Sequence, residues 1–480
     1  MQVAINGEMK DNRVRSLENG DSGQERLHSV STVPALSIVG RKRLPLPMAP
    51  PWFAVFMPAD LTGKIVLRWD STANCAPLLE PGGVDAVWLR TPGDGIAAAC
   101  RAAGAEVLPA DTIRLASLEE YGLAKPAETV VAKAGLWPGA QAGARGGDGA
   151  VVAGATGQAW VTANGYLVAW LRALYPDREP VLGYAPDHDA GIDPGRVLPS
   201  GALELALIDA WCAGGNFILA PEPSYRDTLL TGDKASLTAW TRMGQTARWL
   251  KQQRSLFLQK PMDAVTALVD PGDASGEIAA LLFRHSASPA LVSAKRAPAP
   301  DPANRPLVVA AGLAAPSPEL QKVLLAHARA GATVVIDASA SNAWWRTPGL
   351  KLTRGFEDRE IYKLGSGSLV AYKDTVSDPG EFALDMIDLV GDRRPARVWN
   401  LSGGIVTASQ AGPGAKAALQ VVNYGSPARS GVLVRRYGVF QSATLLRPED
   451  ADVSLRTYKR GASTEVVLPS LGRLGVVIFD

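Results

Sequence analysis

Between about residues 50 and 258 of this 480-residue chain, short β-branched runs alternate with longer stretches of helical periodicity. That rhythm is the strongest constraint on the fold, because strands separated by enough chain for a helix pair in parallel through crossovers. The runs are Lys64–Trp69, Val84–Leu89, Ala105–Leu108, Thr129–Ala132, Gln158–Thr162, Val181–Tyr184 and Phe217–Ala220. Gly104 suits the C-terminal cap of the helix before its strand. The spacing predicts a trimmed (β/α) TIM-like barrel over residues 48–260, with a doubly wound sheet as the alternative. An amphipathic helix over Leu237–Phe257 closes the unit, and Pro261 marks its end.

Residues 261–392 restart the alternation with DAVTALVD, RPLVVAAG and ATVVIDA. Pro318 suits a helix start there and Gly331 a helix end, so a small α/β domain of flavodoxin type is expected. Residues 393–480 hold mostly strand-like runs separated by turn residues and predict a β-sandwich. Residues 1–47 lack periodicity and read as a poorly ordered tail, with Met48 an alternative start.

Composition narrows the function. Forty-nine Lys and Arg against 47 Asp and Glu leave a net charge of +2, which nominates neither nucleic acid nor an anionic membrane as partner. No apolar run approaches the ~18 residues of a membrane span, and the charged N-terminus lacks a secretory pattern. The chain as given reads as cytoplasmic, with export open if its true start differs. Cys75, Cys100 and Cys212 are too far apart in sequence for a zinc or redox motif and are expected as buried thiols; all three precede the second domain, which excludes thiol chemistry there.

The stretch RPLVVAAGLAAPSPELQKVLLAHARAGATVVIDA at 305–338, together with LQVVNYGS at 419–426 and TEVVLPSLGRLGVVIF at 464–479, resembles glycoside hydrolases of the family 42 β-galactosidase type. Those enzymes are built as a barrel, an amidotransferase-like α/β domain and a β-sandwich. The resemblance implies an oligosaccharide or glycoside as substrate and a homo-oligomer formed through residues 261–392; no cofactor is expected, since LGSGS at 364–368 lacks the third glycine and the helix of a dinucleotide site. One motif departs from the family: its acid/base Glu follows an Asn, and this chain has no Asn-Glu dipeptide. Glu222 is the positional counterpart of the family's second carboxylate.

In a parallel barrel the chemistry sits at the C-terminal strand ends. Strand alternation puts Arg68 and Asp70 on one face of LRWDS and Leu67 and Trp69 on the other, with Asn74 following in the loop. The pair reads either as a ligand contact or as an ion pair plugging the barrel. YAPDHDAGIDP at 184–194 places Tyr184, Asp187, His188 and Asp189 just after a strand, as acid, base and hydroxyl ligands or as turn and cap residues. Its spacing does not match a calcium loop, so no metal is expected. Glu222 stands between two prolines in FILAPEPSYRD, ahead of Tyr225 and Arg226, and reads as a catalytic carboxylate or as a group bonded to nearby backbone or Arg226. Asp70, Asp187 and Glu222 are thus the candidate catalytic groups. Arg68, Trp69, Asn74, Trp137, Asn164, Tyr184, His188, Asp189, Tyr225 and Arg226 are candidate substrate contacts. The glycine-rich loop 133–149 lacks a phosphate-loop motif. A degenerate barrel that binds glycans or scaffolds an assembly without catalysis is the alternative function.

Overall fold

The computed structural model describes residues 59–91, 94–125, 128–135, 164–184, 201–262, 264–338, 343–401, 403–410, 416–425 and 428–480. The tail at 1–47, the expected strand Gln158–Thr162 and most of the loop 133–149 lie outside these residues. Seven short parallel strands form the first unit: β1 (Val66–Trp69), β2 (Ala86–Leu89), β3 (Glu106–Leu108), β4 (Arg114–Ala116), β5 (Val130–Gly135), β6 (Val181–Tyr184) and β7 (Asn216–Phe217). They pair as β1-β2-β3 and β4-β5-β6-β7. Leu219, just beyond β7, joins the two sheets: its N–H donates to the Val66 carbonyl at 2.9 Å and its carbonyl accepts from Arg68 N–H at 2.8 Å.

The order is therefore β3-β2-β1-β7-β6-β5-β4, with consecutive strands at its two edges. One side of this sheet sends Val66, Ala86, Trp88, Leu108, Val131, Val181 and Ile218 into a single shared cluster with Leu61 and Ile113. Residues from both edges meet there, so the sheet curls around its own side chains as a barrel wall does. Among the described residues no ladder joins β3 to β4. The curled parallel wall matches the expectation, and hydrogen-bonded closure is not part of what is seen.

The opposite parity, including Leu67, Trp69, Val87, Leu89, Ala132, Leu182 and Phe217, packs outward beneath helices. Apolar residues on both faces account for runs that do not alternate. The helix Gly201–Cys212 is buried along its entire length. The helix Lys234–Gln252 buries Trp240, Met243, Ala247 and Leu250, the amphipathic face expected of it. β4 was not anticipated: its three residues, RLA, are too few to show a period, and a capping box between Ser117 and Glu120 starts the next helix almost at once. Gly104 (φ 84°) and Gly331 (φ 123°) turn the chain at helix ends as expected, in a backbone region other residues avoid.

The second unit is a seven-stranded sheet of β8 (Val265–Val269), β9 (Ala290–Ser293), β10 (Leu307–Val309), β11 (Thr333–Ile336), β12 (Lys351–Gly355), β13 (Arg359–Leu364) and β14 (Gly367–Tyr372). Its order is β12-β13-β14-β11-β10-β8-β9, parallel from β9 to β14 and antiparallel beyond. The parallel part has the doubly wound order of flavodoxin-like sheets. Helices Asp273–Arg284 and Pro379–Val390 cover one face and Pro318–Ala330 the other.

The last unit packs two antiparallel sheets face to face. One holds β15 (Ala396–Trp399), β18 (Val432–Tyr437), β22 (Ser463–Leu468) and β21 (Tyr458–Arg460); the other holds β16 (Gly404–Gln410), β17 (Ala417–Asn423), β23 (Leu474–Phe479), β19 (Ala443–Leu446) and β20 (Val453–Leu455). Val406, Leu419, Val434, Leu445, Val466 and Phe479 fill the space between them. Ile405, Val422 and Tyr424 turn away from that core into the one beneath the first unit's helices.

Candidate functional site

The strand ends of the curled sheet gather a compact charged group. Arg68 and Asp70 share a face of β1, as alternation requires, and Arg68 Nε lies 2.8 Å from Asp70 Oδ2. The contact is an ion pair angled away from a hydrogen bond, since Arg68 Nε has no aligned acceptor. Arg68 Nη1 instead donates to the Tyr184 carbonyl at 3.3 Å, tying β1 to the end of β6. Arg90, directly after β2, approaches Asp70 Oδ1 at 3.9 Å. Both guanidinium groups lie over the Trp88 ring, at 5.8 Å and 5.0 Å from its centroid. Trp88 is fully buried, and its indole N–H donates to the Ala110 carbonyl. Two arginines, one carboxylate and an aromatic floor thus cap the interior cluster. Asp70 remains 40% exposed and can be reached from solvent.

Glu222 leaves the wall at the same end. Leu67 and Leu219 are paired in register, and Asp70 and Glu222 each stand three residues beyond that pair. Pro223 opens the helix Pro223–Thr231, and Glu222 is its N-cap. Glu222 Oε1 accepts from Ser224 N–H at 3.1 Å, while Oε2 accepts from Ser224 Oγ at 2.5 Å and Tyr225 N–H at 3.3 Å. This is the backbone-bonded arrangement weighed as one reading of the sequence. Arg226 turns to Asp227 and not to Glu222. Tyr225 is buried, with its hydroxyl directed to the Ser236 carbonyl and its pKa pushed up to about 12 by burial.

The other expected contacts divide sharply. Trp69 is only 1% exposed and spends its indole N–H on the Ala73 carbonyl, so it packs in the outer core and offers no ring face to a ligand. The Tyr184 ring is buried in the same core, and only its carbonyl joins the charged group. Asn164 is buried at the start of its helix. Asn74 is exposed, with Oδ1 accepting from Ala76 N–H. Asp187, His188, Asp189 and Trp137 lie outside the described residues. Sequence reading missed Arg90. Its signal was available, since VWLR, like LRWD one strand earlier, ends on a charged residue and so puts a cation at the neighbouring strand end.

All three cysteines are free and buried, with Cys75 and Cys100 Sγ 3.5 Å apart and burial raising the Cys75 thiol. Among the described residues no group of three or more His, Cys, Asp and Glu is placed to hold a metal ion. Nor is any of their helices long and apolar enough to cross a membrane.

No family model matches the chain, and no curated protein matches it. Among solved structures the chain is similar to an α-L-fucosidase isoenzyme 2 from Paenibacillus thiaminolyticus, at 11% identity and a TM-score of 0.47, over 89% of this chain and 78% of that one. It is also similar to a β-galactosidase from Bacillus circulans sp. alkalophilus (11% identity, TM-score 0.46, 66% of this chain, 57% of that one). A GH42 β-galactosidase from G. stearothermophilus stands alongside (12% identity, TM-score 0.43, 66% of this chain, 56% of that one). The chain spans little more than half the length of the β-galactosidases it matches. The family 42 resemblance read in the sequence is thus met again as a distant likeness to solved structures.

Proposed function

We propose that the protein is a glycosidase-like hydrolase that acts on an oligosaccharide or glycoside at the strand ends of a (β/α) barrel. The observation that carries the reading is the placement of two carboxylates, Asp70 and Glu222, three residues beyond one paired point of the parallel wall. Active groups of parallel α/β folds occupy that end, and a glycosidic bond is cleaved between two carboxyl groups. Asp70, flanked by two cations, serves as the hydrogen-bond acceptor or anion of the pair; Asp187 and Glu222 are the candidates for proton donor. Arg68, Arg90, Asn74, His188, Asp189 and Arg226 would contact sugar hydroxyls. Residues 261–392 are the surface through which copies would associate, and a monomeric mass by light scattering would remove that element of the proposal.

The test is release of product from a panel of aryl glycosides and oligosaccharides, read by chromatography. Asp70→Asn, Asp187→Asn and Glu222→Gln are each expected to lose at least 100-fold in rate on any substrate the parent cleaves. Unchanged rates in all three would sink the assignment. A second reading, a barrel that binds glycans without cleaving them, is favoured by one feature: both Glu222 oxygens are committed to a helix cap. Saturable sugar binding by calorimetry with no product released would establish it.

A further inference from the structure

A cavity of about 330 Å³ opens where the three units meet, on the helix side of the curled sheet and away from its strand ends. That volume is at the lower end of the ~300–1,000 Å³ of small-molecule sites. The wall is mostly apolar, with Phe257, Phe283, Leu291 and Val422 among its contributors. Several polar side chains interrupt it, and two of them, Asp209 and Ser409, hold a buried oxygen with no hydrogen-bond partner. Asp209, 4% exposed, comes from the helix Gly201–Cys212, and Ser409, 6% exposed, from β16. Asp209 Oδ1 accepts from the Tyr424 hydroxyl at 2.7 Å, whereas Asp209 Oδ2 has no hydrogen-bond partner. Ser409 Oγ has none either.

A buried polar atom left without a partner is costly, and two at one cavity ask for a ligand that supplies the missing bonds. A carboxylate oxygen only accepts, so the ligand must donate, and a serine hydroxyl can donate in return. Charge settles the remaining chemistry. Arg172, Lys260 and Arg305 also line the cavity and disfavour an ammonium group, while Asp209 disfavours an anion at the polar end. We infer that this junction cavity binds a neutral, largely apolar alcohol, whose hydroxyl donates to Asp209 and whose body lies against the apolar wall.

Titration calorimetry of the full chain with 2-naphthalenemethanol and with its methyl ether, which cannot donate, tests this directly. The alcohol is expected to bind saturably and at least ten-fold more tightly than the ether. Asp209→Asn, which places an amide donor beside the cavity, should bring the two affinities within about three-fold of each other. Ala169→Phe, which projects a ring from the cavity wall, should abolish binding of both. No binding of the alcohol to the parent protein, equal binding of alcohol and ether, or undiminished binding to Ala169→Phe would each overturn the inference. The two-ligand comparison on the parent protein stands even if a variant fails to fold.

Discussion

Asp209 is the side chain on which pH should act most visibly. Burial, opposed by hydrogen bonds from Tyr424 and the backbone of residues 164 and 165, lifts its pKa from 3.8 to about 6. The titratable groups beside it, Tyr424 and Cys212, are themselves pushed well up by burial and stay neutral near pH 7. A carboxyl whose pKa is raised in the folded state stabilises that state fully below its unfolded value, and the contribution is lost as pH rises through the folded one. A rise of this size corresponds to on the order of 3 kcal/mol, lost between about pH 4 and pH 6.5. Asp209→Asn cannot ionise and still accepts from Tyr424. Its unfolding free energy in urea is therefore expected to exceed that of the parent at pH 8, with the advantage shrinking towards pH 4. A gap independent of pH would show that Asp209 does not titrate in this window. Asp70 differs because it is 40% exposed and its pairs are screened by water. Asp70→Asn should cost less than about 1 kcal/mol in thermal unfolding, so a lost reaction in that variant would report chemistry and not collapse.

At the level of elements, Glu222 and Gly244 hold helices in place. Glu222→Ala removes the cap of Pro223–Thr231 and is expected to cost about 1 kcal/mol, whereas Glu222→Gln keeps an oxygen acceptor and should cost less. Equal losses in urea unfolding would count against capping. Gly244 presses the helix Lys234–Gln252 onto the turn at 81–83, so closely that a Cβ there would overlap the Pro81 carbonyl oxygen and the Gly82 backbone. Trp240 of that helix donates to the Leu78 carbonyl at 2.7 Å, fixing the same seam. Gly244→Ala should thus destabilise by about 3 kcal/mol or more, read as a large fall in Tm, because neither backbone can retreat. These elements also show what a sequence discloses. Strands β1, β2, β6 and β8 were legible because their β-branched runs are bounded by turns, and alternation alone placed Arg68 with Asp70. The three-residue β4 and the hairpins of β12 to β14 were not, since β12 is exposed throughout and has no apolar period. The cap role of Glu222 was one of two open readings, because Pro after an acid suits both a helix start and a fixed catalytic group. The ligand chemistry of Asp209 escaped entirely: its partner Tyr424 is 215 residues away.

Across the whole molecule, the seams between units are built from hydrogen bonds that an isolated unit would leave unmade. β16 is the edge of its sheet, and an open edge invites pairing with foreign strands. Here the edge is covered from the second unit: Val406 N–H donates to Ser286 Oγ at 3.1 Å and Ala408 N–H to Ser288 Oγ at 2.9 Å. The segment at 260–262 completes the cover, with Met262 N–H bonded to the Ala408 carbonyl and Gln410 N–H to the Lys260 carbonyl. Ser286 and Ser288 both adopt positive φ (54° and 48°), a conformation that costs a non-glycine residue about 1 kcal/mol and is held by the contacts it makes. Ser288→Gly sets these effects against each other. It relieves the backbone but strips the acceptor from a buried N–H, a loss of about 1–3 kcal/mol that outweighs the relief. The variant should therefore unfold at lower temperature than the parent. Because that bond joins two units sharing cores with a third, the calorimetric trace should keep one transition whose van't Hoff and calorimetric enthalpies agree. Two resolved transitions in the parent protein would show that the seams do not couple the units. A higher Tm in Ser288→Gly would show that the strained turn, and not the covered edge, dominates at this junction.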